Sequence, residues 1–304
     1  LLAGGLLTVL GLHLNDDVVV EPDMVGDAGP GTVRVVAVTR ALRTWFPVAD
    51  EVLERGDLVR VMVPTGRYAD VADRNIFGVM RQHPALARDG IRLRQIGQTI
   101  IETLGGKKIH PTWVVPGGVA EPLDAAKRDA ILALLPEGLE VAKRTYAFFK
   151  TLVPRFTAEA SHFGTQPTMF LSLVSPQGHL EHYDGFLRLK DAQGHIVEDR
   201  VPTGDYVRLV GEAAEDWSFM KFPYYKPMGY PGGIYRVGPL ARLNNADACG
   251  TPYADVALAE FRMLQDRGPV ASSFHYHYAR LVEIIYAIEM MERLLQEPDI
   301  LSAR

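Results

Sequence analysis

The sequence predicts an α+β protein, predominantly helical, with a small β-hairpin region in its middle. Three observations predict it. Apolar residues recur every three to five positions in long stretches around residues 73–153 and again over 251–296. Short β-branched and alternating runs bounded by Gly, Asp and Pro occupy about 168–210. No run approaches the roughly 20 apolar residues of a membrane span.

The 304 residues are 47% hydrophobic and 23% charged, with a net charge of −5 and a pI near 6.0. This is ordinary globular composition, ample for a sizeable core, and it carries no basic footprint for nucleic acid. Cys249 is the single cysteine, which excludes an internal disulfide framework and any self-contained multi-cysteine metal site. It fits a reducing compartment. The first fourteen residues are apolar but too short to span a bilayer, and they lack a basic lead and an initiator Met.

Residues 1–66 differ in texture from the rest. Residues 32–38 and 58–63 are predicted short strands and 41–55 a helix, with no motif that carries chemistry. Asp73 is the expected cap of helical sequence running to Leu104, with Pro84 in the first turn of a second helix and Gly105-Gly106 as its stop. Then comes IHPTWVVPGG, where two glycine pairs bracket His110 on a stiff turn after Lys107 and Lys108. Asp124 is the predicted cap of helical sequence over 124–153, which Pro136 is expected to split into a hairpin.

Strands are predicted at 168–174, 185–190 and 195–201, the last two joined at Asp191-Ala-Gln-Gly194, and again at 205–210. His179, His182 and His195 match no ligand spacing and read as surface histidines. Residues 212–217 read as an acidic turn. Residues 221–245, with three prolines and a Gly-Gly pair, read as a long ordered loop in which Arg236 and Arg242 pair with carboxylates or take an anionic group. Helices are predicted over 251–296, the first capped by Thr251 and the second opened by Ser272 and Ser273. On that last helix His277 falls on the apolar stripe, while Glu283, Glu289 and Glu292 read as its solvated face; a buried Glu283 would be a proton-relay candidate. No dinucleotide fingerprint, P-loop, nucleophile elbow or H-E-x-x-H is present.

Three stretches together resemble the large subunit of nickel–iron hydrogenases, in its cytoplasmic NAD(P)-linked branch. They are RNIFGVM with GIRLRQIGQTIIETLGGKKIHPTWVVPGG, then KFPYYKPMGYPGGIYRVGPLARLN, then FHYHYARLVEIIYAIEMMERLL. The resemblance runs from about Asp73 to the end, within an expected domain of residues 67–304, and implies a hydrogenase-like helical core. It implies a protein that splits hydrogen at a nickel–iron centre. Electrons pass through iron–sulfur clusters of a small subunit to a flavin/NAD diaphorase module. The family holds its metals with two C-x-x-C motifs and places an Ala-Pro-Arg-Gly segment beside them; this chain has none of the three. The expectation is therefore a central fragment with no catalytic, cofactor-binding or metal-ligating residue of its own, inactive and poorly soluble in isolation. Residues 1–66 are a divergent or aberrant segment. Lys107, Lys108, His110, Arg236, Arg242 and His277 are expected around the metal site or at the small-subunit interface, with His110 near a cluster. The alternatives are a thiolate-free relative such as the quinone-site subunit of complex I, or a scaffold.

Overall fold

The computed structural model describes residues 76–116 and 118–302; the expected elements at 32–38, 41–55 and 58–63, and Asp73, lie outside them. Helices α1 (Ile76–Gln82) and α2 (Pro84–Gly105) part at His83, with Pro84 placed where the second helix's first turn needs no donor. The buried face of α2 is Ala87, Gly90, Leu93, Ile96, Gly97 and Ile100. Gly106 ends it in the left-handed conformation, φ 73°, its N–H returning to Glu102 O. The His110 loop follows and closes on two short antiparallel strands, β1 (Val114–Val115) and β2 (Gly118–Val119).

The expected break at Pro136 does not occur. A single 28-residue helix, α3 (Ala125–Leu152), runs through it from the Asp124 cap, whose carboxylate accepts from Lys127 N at 2.7 Å. An internal proline costs a helix about 3 kcal/mol. Here Pro136 is exposed, and both halves bury one continuous face that includes Ile131, Leu135, Val141, Tyr146 and Phe149. Burial of that face, at ~1.5–3 kcal/mol per large side chain, outweighs the lost hydrogen bond.

After a short helix, α4 (Thr157–His162), the chain enters a four-stranded sheet. Strands β3 (Met169–Val174), β4 (Phe186–Lys190) and β5 (Ile196–Pro202) form an antiparallel meander. The predicted strand at 205–210 is instead a helical turn, α5 (Tyr206–Leu209), because Tyr206 and Val207 point to solvent and pairing starts only at Val210. The predicted acidic turn at 212–217 is largely strand β6 (Val210–Glu215), paired with β7 (Ser218–Tyr225). Gly211 permits this pairing, since a Cβ there would lie 2.8 Å from the Tyr224 ring.

Residues 221–245 are not a long loop. They hold the end of β7, a turn with a cis Tyr230-Pro231 peptide, strand β8 (Tyr235–Arg236) and helix α6 (Pro239–Asn245). The glycines and prolines mark the joints between these short elements. β8 runs parallel beside β3, and α6 lies on that same strand. Helices α7 (Pro252–Arg262) and α8 (Tyr276–Leu295) follow. α8 packs against α3, α6 and α7 and is buried on nearly all sides from Tyr278 to Glu289, so it is the axis of the main core.

Candidate functional site

Helix α8 carries two buried glutamates, Glu283 and Glu289. Its Glu283 faces α6, where Arg242 donates Nε to Oε1 at 2.5 Å and Nη2 to Oε2 at 2.9 Å. The side chains are 22% and 10% exposed, so this is a two-pronged, largely desolvated ion pair. His182, from the segment between β3 and β4, places Nε2 3.7 Å from Glu283 Oε1 and stacks on Tyr286 at 5.7 Å between ring centres. Tyr286 donates its hydroxyl to Leu180 O at 3.1 Å. Burial alone would raise the Glu283 carboxyl, but the Arg242 hydrogen bonds and His182 outweigh it and hold it below the usual carboxylate range. The reading of Glu283 as solvated is therefore corrected: it is buried and paired with Arg242.

Stability drawn from this pair is present above the unfolded-state carboxyl value and is lost as pH falls through the lower folded value. Glu283→Gln is expected to flatten the acid limb of a stability–pH curve below about pH 4.3, read by urea unfolding at several pH values.

Glu289, also expected on a solvated face, is buried. Its carboxylate accepts from Thr251 Oγ1 at 2.6 Å, Tyr253 N at 2.8 Å and Ala254 N at 3.0 Å. It thus caps α7 from another helix, and Thr251, the expected cap, donates to it rather than accepting from its own helix. Residue spacing did not reveal either buried glutamate, because their partners are distant in sequence.

The six residues singled out from the sequence are not brought to one place by contact. Lys107, Lys108 and His110 are exposed on the loop after α2. His110 has φ 51°, a conformation rare for a residue with a side chain. Trp113 anchors the loop by donating Nε1 to Glu121 O at 2.8 Å and packing on the main core. Pro111 sits so close to Gly105 that a Cβ there would be 2.3 Å from the proline's own Cβ. Gly105→Ala is therefore expected to displace the loop and to cost about 1–3 kcal/mol, measured by thermal unfolding. Ile109, Val114 and Val119 are 71%, 78% and 46% exposed, so the loop also presents apolar side chains.

Arg242 has the carboxylate partner expected of it. Arg236 instead spends its guanidinium on neutral oxygens. It donates to Thr168 Oγ1 at 2.8 Å, to Gln166 O at 3.3 Å, and to the carbonyls of Gly164 and Ala271. It staples β8 to the segments before β3 and before α8, and burial draws its pKa down. That use of its donors leaves little for an anion. His277 is half-buried and pushed down by burial and then Arg280. His275, two residues earlier, is the buried histidine, held neutral by burial with a pKa of about 4, its Nδ1 without a hydrogen-bond partner. His195 is exposed and pairs with Asp191 in its hairpin turn.

Among the described residues no group of three His, Cys, Asp or Glu is placed to hold a metal ion, and no helix is long and apolar enough to cross a membrane. Cys249 is buried, with its thiol pushed up to about 12 by burial and then by Asp255. A protonated, solitary thiol does not fit a centre that needs several thiolates.

The architecture defines the class: over the described residues it is the fold of a hydrogenase large subunit. A solved NAD+-reducing [NiFe]-hydrogenase in the H2-reduced state superposes with a TM-score of 0.74 at 40% identity, over 81% of this chain and 54% of that one. A [NiFeSe]-hydrogenase from Dm. baculatum, at 18% identity and TM-score 0.52, shares the fold alone. Two relatives in sequence place the chain in the hydrogenase large-subunit family. The vhu F420-non-reducing hydrogenase polypeptide of Methanocaldococcus jannaschii is 39% identical over 238 residues (78% of this chain, 56% of that protein). The beta subunit of the NAD-reducing hydrogenase HoxS of Cupriavidus necator is 34% identical over 241 residues (77% and 49%). The chain thus spans about half the length of the relatives it matches. No family model matches it.

Proposed function

We propose that the chain is the central part of the catalytic large subunit of a nickel–iron hydrogenase of the cytoplasmic, NAD(P)-linked branch. The observation that carries this reading is the 40% identity, at a TM-score of 0.74, to an NAD+-reducing [NiFe]-hydrogenase. In the whole protein a nickel–iron centre supplies heterolytic hydrogen cleavage. The residues of this chain do not supply its ligands, since 304 residues contain one cysteine. Their part is scaffolding: Arg242–Glu283 and the Glu289 cap fix α8 against α6 and α7, and so fix the walls on which the remaining half of the fold would build.

The partner is an iron–sulfur small subunit, in turn joined to a flavin/NAD module. The supporting feature is the loop after α2, which combines exposed Lys107, Lys108 and His110 with exposed Ile109, Val114 and Val119. Such mixed apolar and basic surface suits a protein interface near an anionic cluster, and a histidine there tunes a cluster by hydrogen bonding. Arg236, Arg242 and His277 are assigned to the surroundings of the metal site on the strength of the family likeness.

Two measurements test this. Co-expression with the small subunit of an NAD-linked hydrogenase is expected to give co-purification that Lys107→Glu with Lys108→Glu weakens; retention unchanged by the reversal contradicts the interface. The purified 304-residue chain is expected to bind no stoichiometric nickel and to show no hydrogen-dependent dye reduction. Stoichiometric nickel contradicts the assignment of the ligands to polypeptide outside this chain.

A further inference from the structure

One buried cluster has no part in the function proposed above. Tyr146 of α3 and Tyr278 of α8 bring their hydroxyl oxygens within 2.6 Å, their rings 5.2 Å apart and nearly perpendicular. They are 7% and 2% exposed. Tyr146 donates to Glu260 Oε2 of α7. Lys150 Nζ lies 2.9 Å from each oxygen of that carboxylate, at the protein surface. Because the Tyr146 proton goes to Glu260, the Tyr278 proton must lie in the contact between the two phenols. Phe149 and Phe261 pack against Tyr278, each 6.1 Å from its ring, and close the inner side to water.

We propose that Tyr146 and Tyr278, with Glu260 as proton acceptor, form a redox-active tyrosine pair that yields one electron to a strong one-electron oxidant, of the class of high-valent metal complexes and oxygen-derived radicals. Tyr146 loses one electron to the oxidant, and its phenolic proton moves to Glu260 Oε2. The products are a neutral phenoxyl radical, a neutral carboxyl group and the oxidant reduced by one electron. No radical cation is formed, and an unpaired buried charge is the species that burial penalises most. Tyr278 then passes a hydrogen atom, one electron with its proton, to the Tyr146 oxygen, which moves the radical to the shielded ring and restores Tyr146. Burial and the carboxylate neighbour both raise the Tyr146 phenol, so simple deprotonation does not compete. Tyr225 also donates to a carboxylate, Glu198 at 2.7 Å, but lacks a second phenol in that bond, so it serves as the control. The pair needs only these side chains and is independent of the hydrogenase reading.

Flash-quench oxidation of the purified chain with tris-bipyridine ruthenium and persulfate, followed by freeze-trapped electron paramagnetic resonance, tests it. A long-lived neutral tyrosyl radical is expected, lost in Tyr146→Phe and in Glu260→Gln, and retained in Tyr225→Phe and Tyr183→Phe. A radical of unchanged line shape and lifetime in Tyr146→Phe, or one lost in Tyr183→Phe, overturns the proposal. If Tyr146→Phe does not fold, by circular dichroism, Glu260→Gln decides alone: an unchanged radical there overturns it.

Discussion

Replacing Arg242 with methionine is expected to destabilise the protein by about 3–5 kcal/mol, because it strands Glu283 without its cation. The carboxylate is one-tenth exposed, and its other side-chain neighbour, the His182 imidazole, is 3.7 Å away. Water cannot reach it well enough to replace two guanidinium hydrogen bonds. The double replacement Arg242→Met with Glu283→Leu is expected to recover most of that loss, since removing both partners of a buried pair is often close to neutral. Chemical unfolding of the two single variants and the double variant gives the coupling directly. Additive losses would mean that the pair does not act as one unit.

The second large effect is expected at Phe261. It is fully buried where α7 meets α8, and its ring lies 6.1 Å from Tyr278. Phe261→Ala removes a whole aromatic side chain from the main core and is expected to cost about 3–5 kcal/mol, through lost transfer energy and the cavity left behind. Thermal unfolding reads it. The same truncation at Phe219, which is 98% exposed on the β6–β7 ribbon, is expected to change stability by less than about 0.5 kcal/mol.

Much of the helical framework was legible because its signals are local. Asp124, Gly106 and Pro84 act as cap, stop and first-turn residues through their own backbone chemistry, and the α2 apolar spacing is a property of one segment. Ile91, apolar and in the same stretch, is nevertheless 56% exposed. Pro136 misled because a local rule lost to a tertiary one: the apolar face on either side of it is shared with α8 and α2. The 221–245 segment misled in the opposite sense, since its two-residue strand β8 exists only through pairing with β3.

The polar sites were the least legible. Glu283 and Glu289 carry the same signature as exposed helix glutamates, and what buries them is Arg242 at a separation of 41 residues and the α7 amides at 35 and 36. Glu260, flanked in sequence by nothing that marks it, gains meaning from Tyr146 and Lys150, 114 and 110 residues away. Arg236 was legible as a residue with work for its donors, but not that backbone carbonyls would take them.

The central claim is that these residues are the ligand-free middle of a hydrogenase large subunit. The most direct measurement is the genomic sequence on either side of the stretch encoding them. The account predicts a C-x-x-C motif upstream and another downstream, in the same or a shifted frame, with small-subunit and diaphorase genes adjacent. Flanks without those cysteine pairs would contradict it, and would favour a thiolate-free relative or a scaffold built on the same fold.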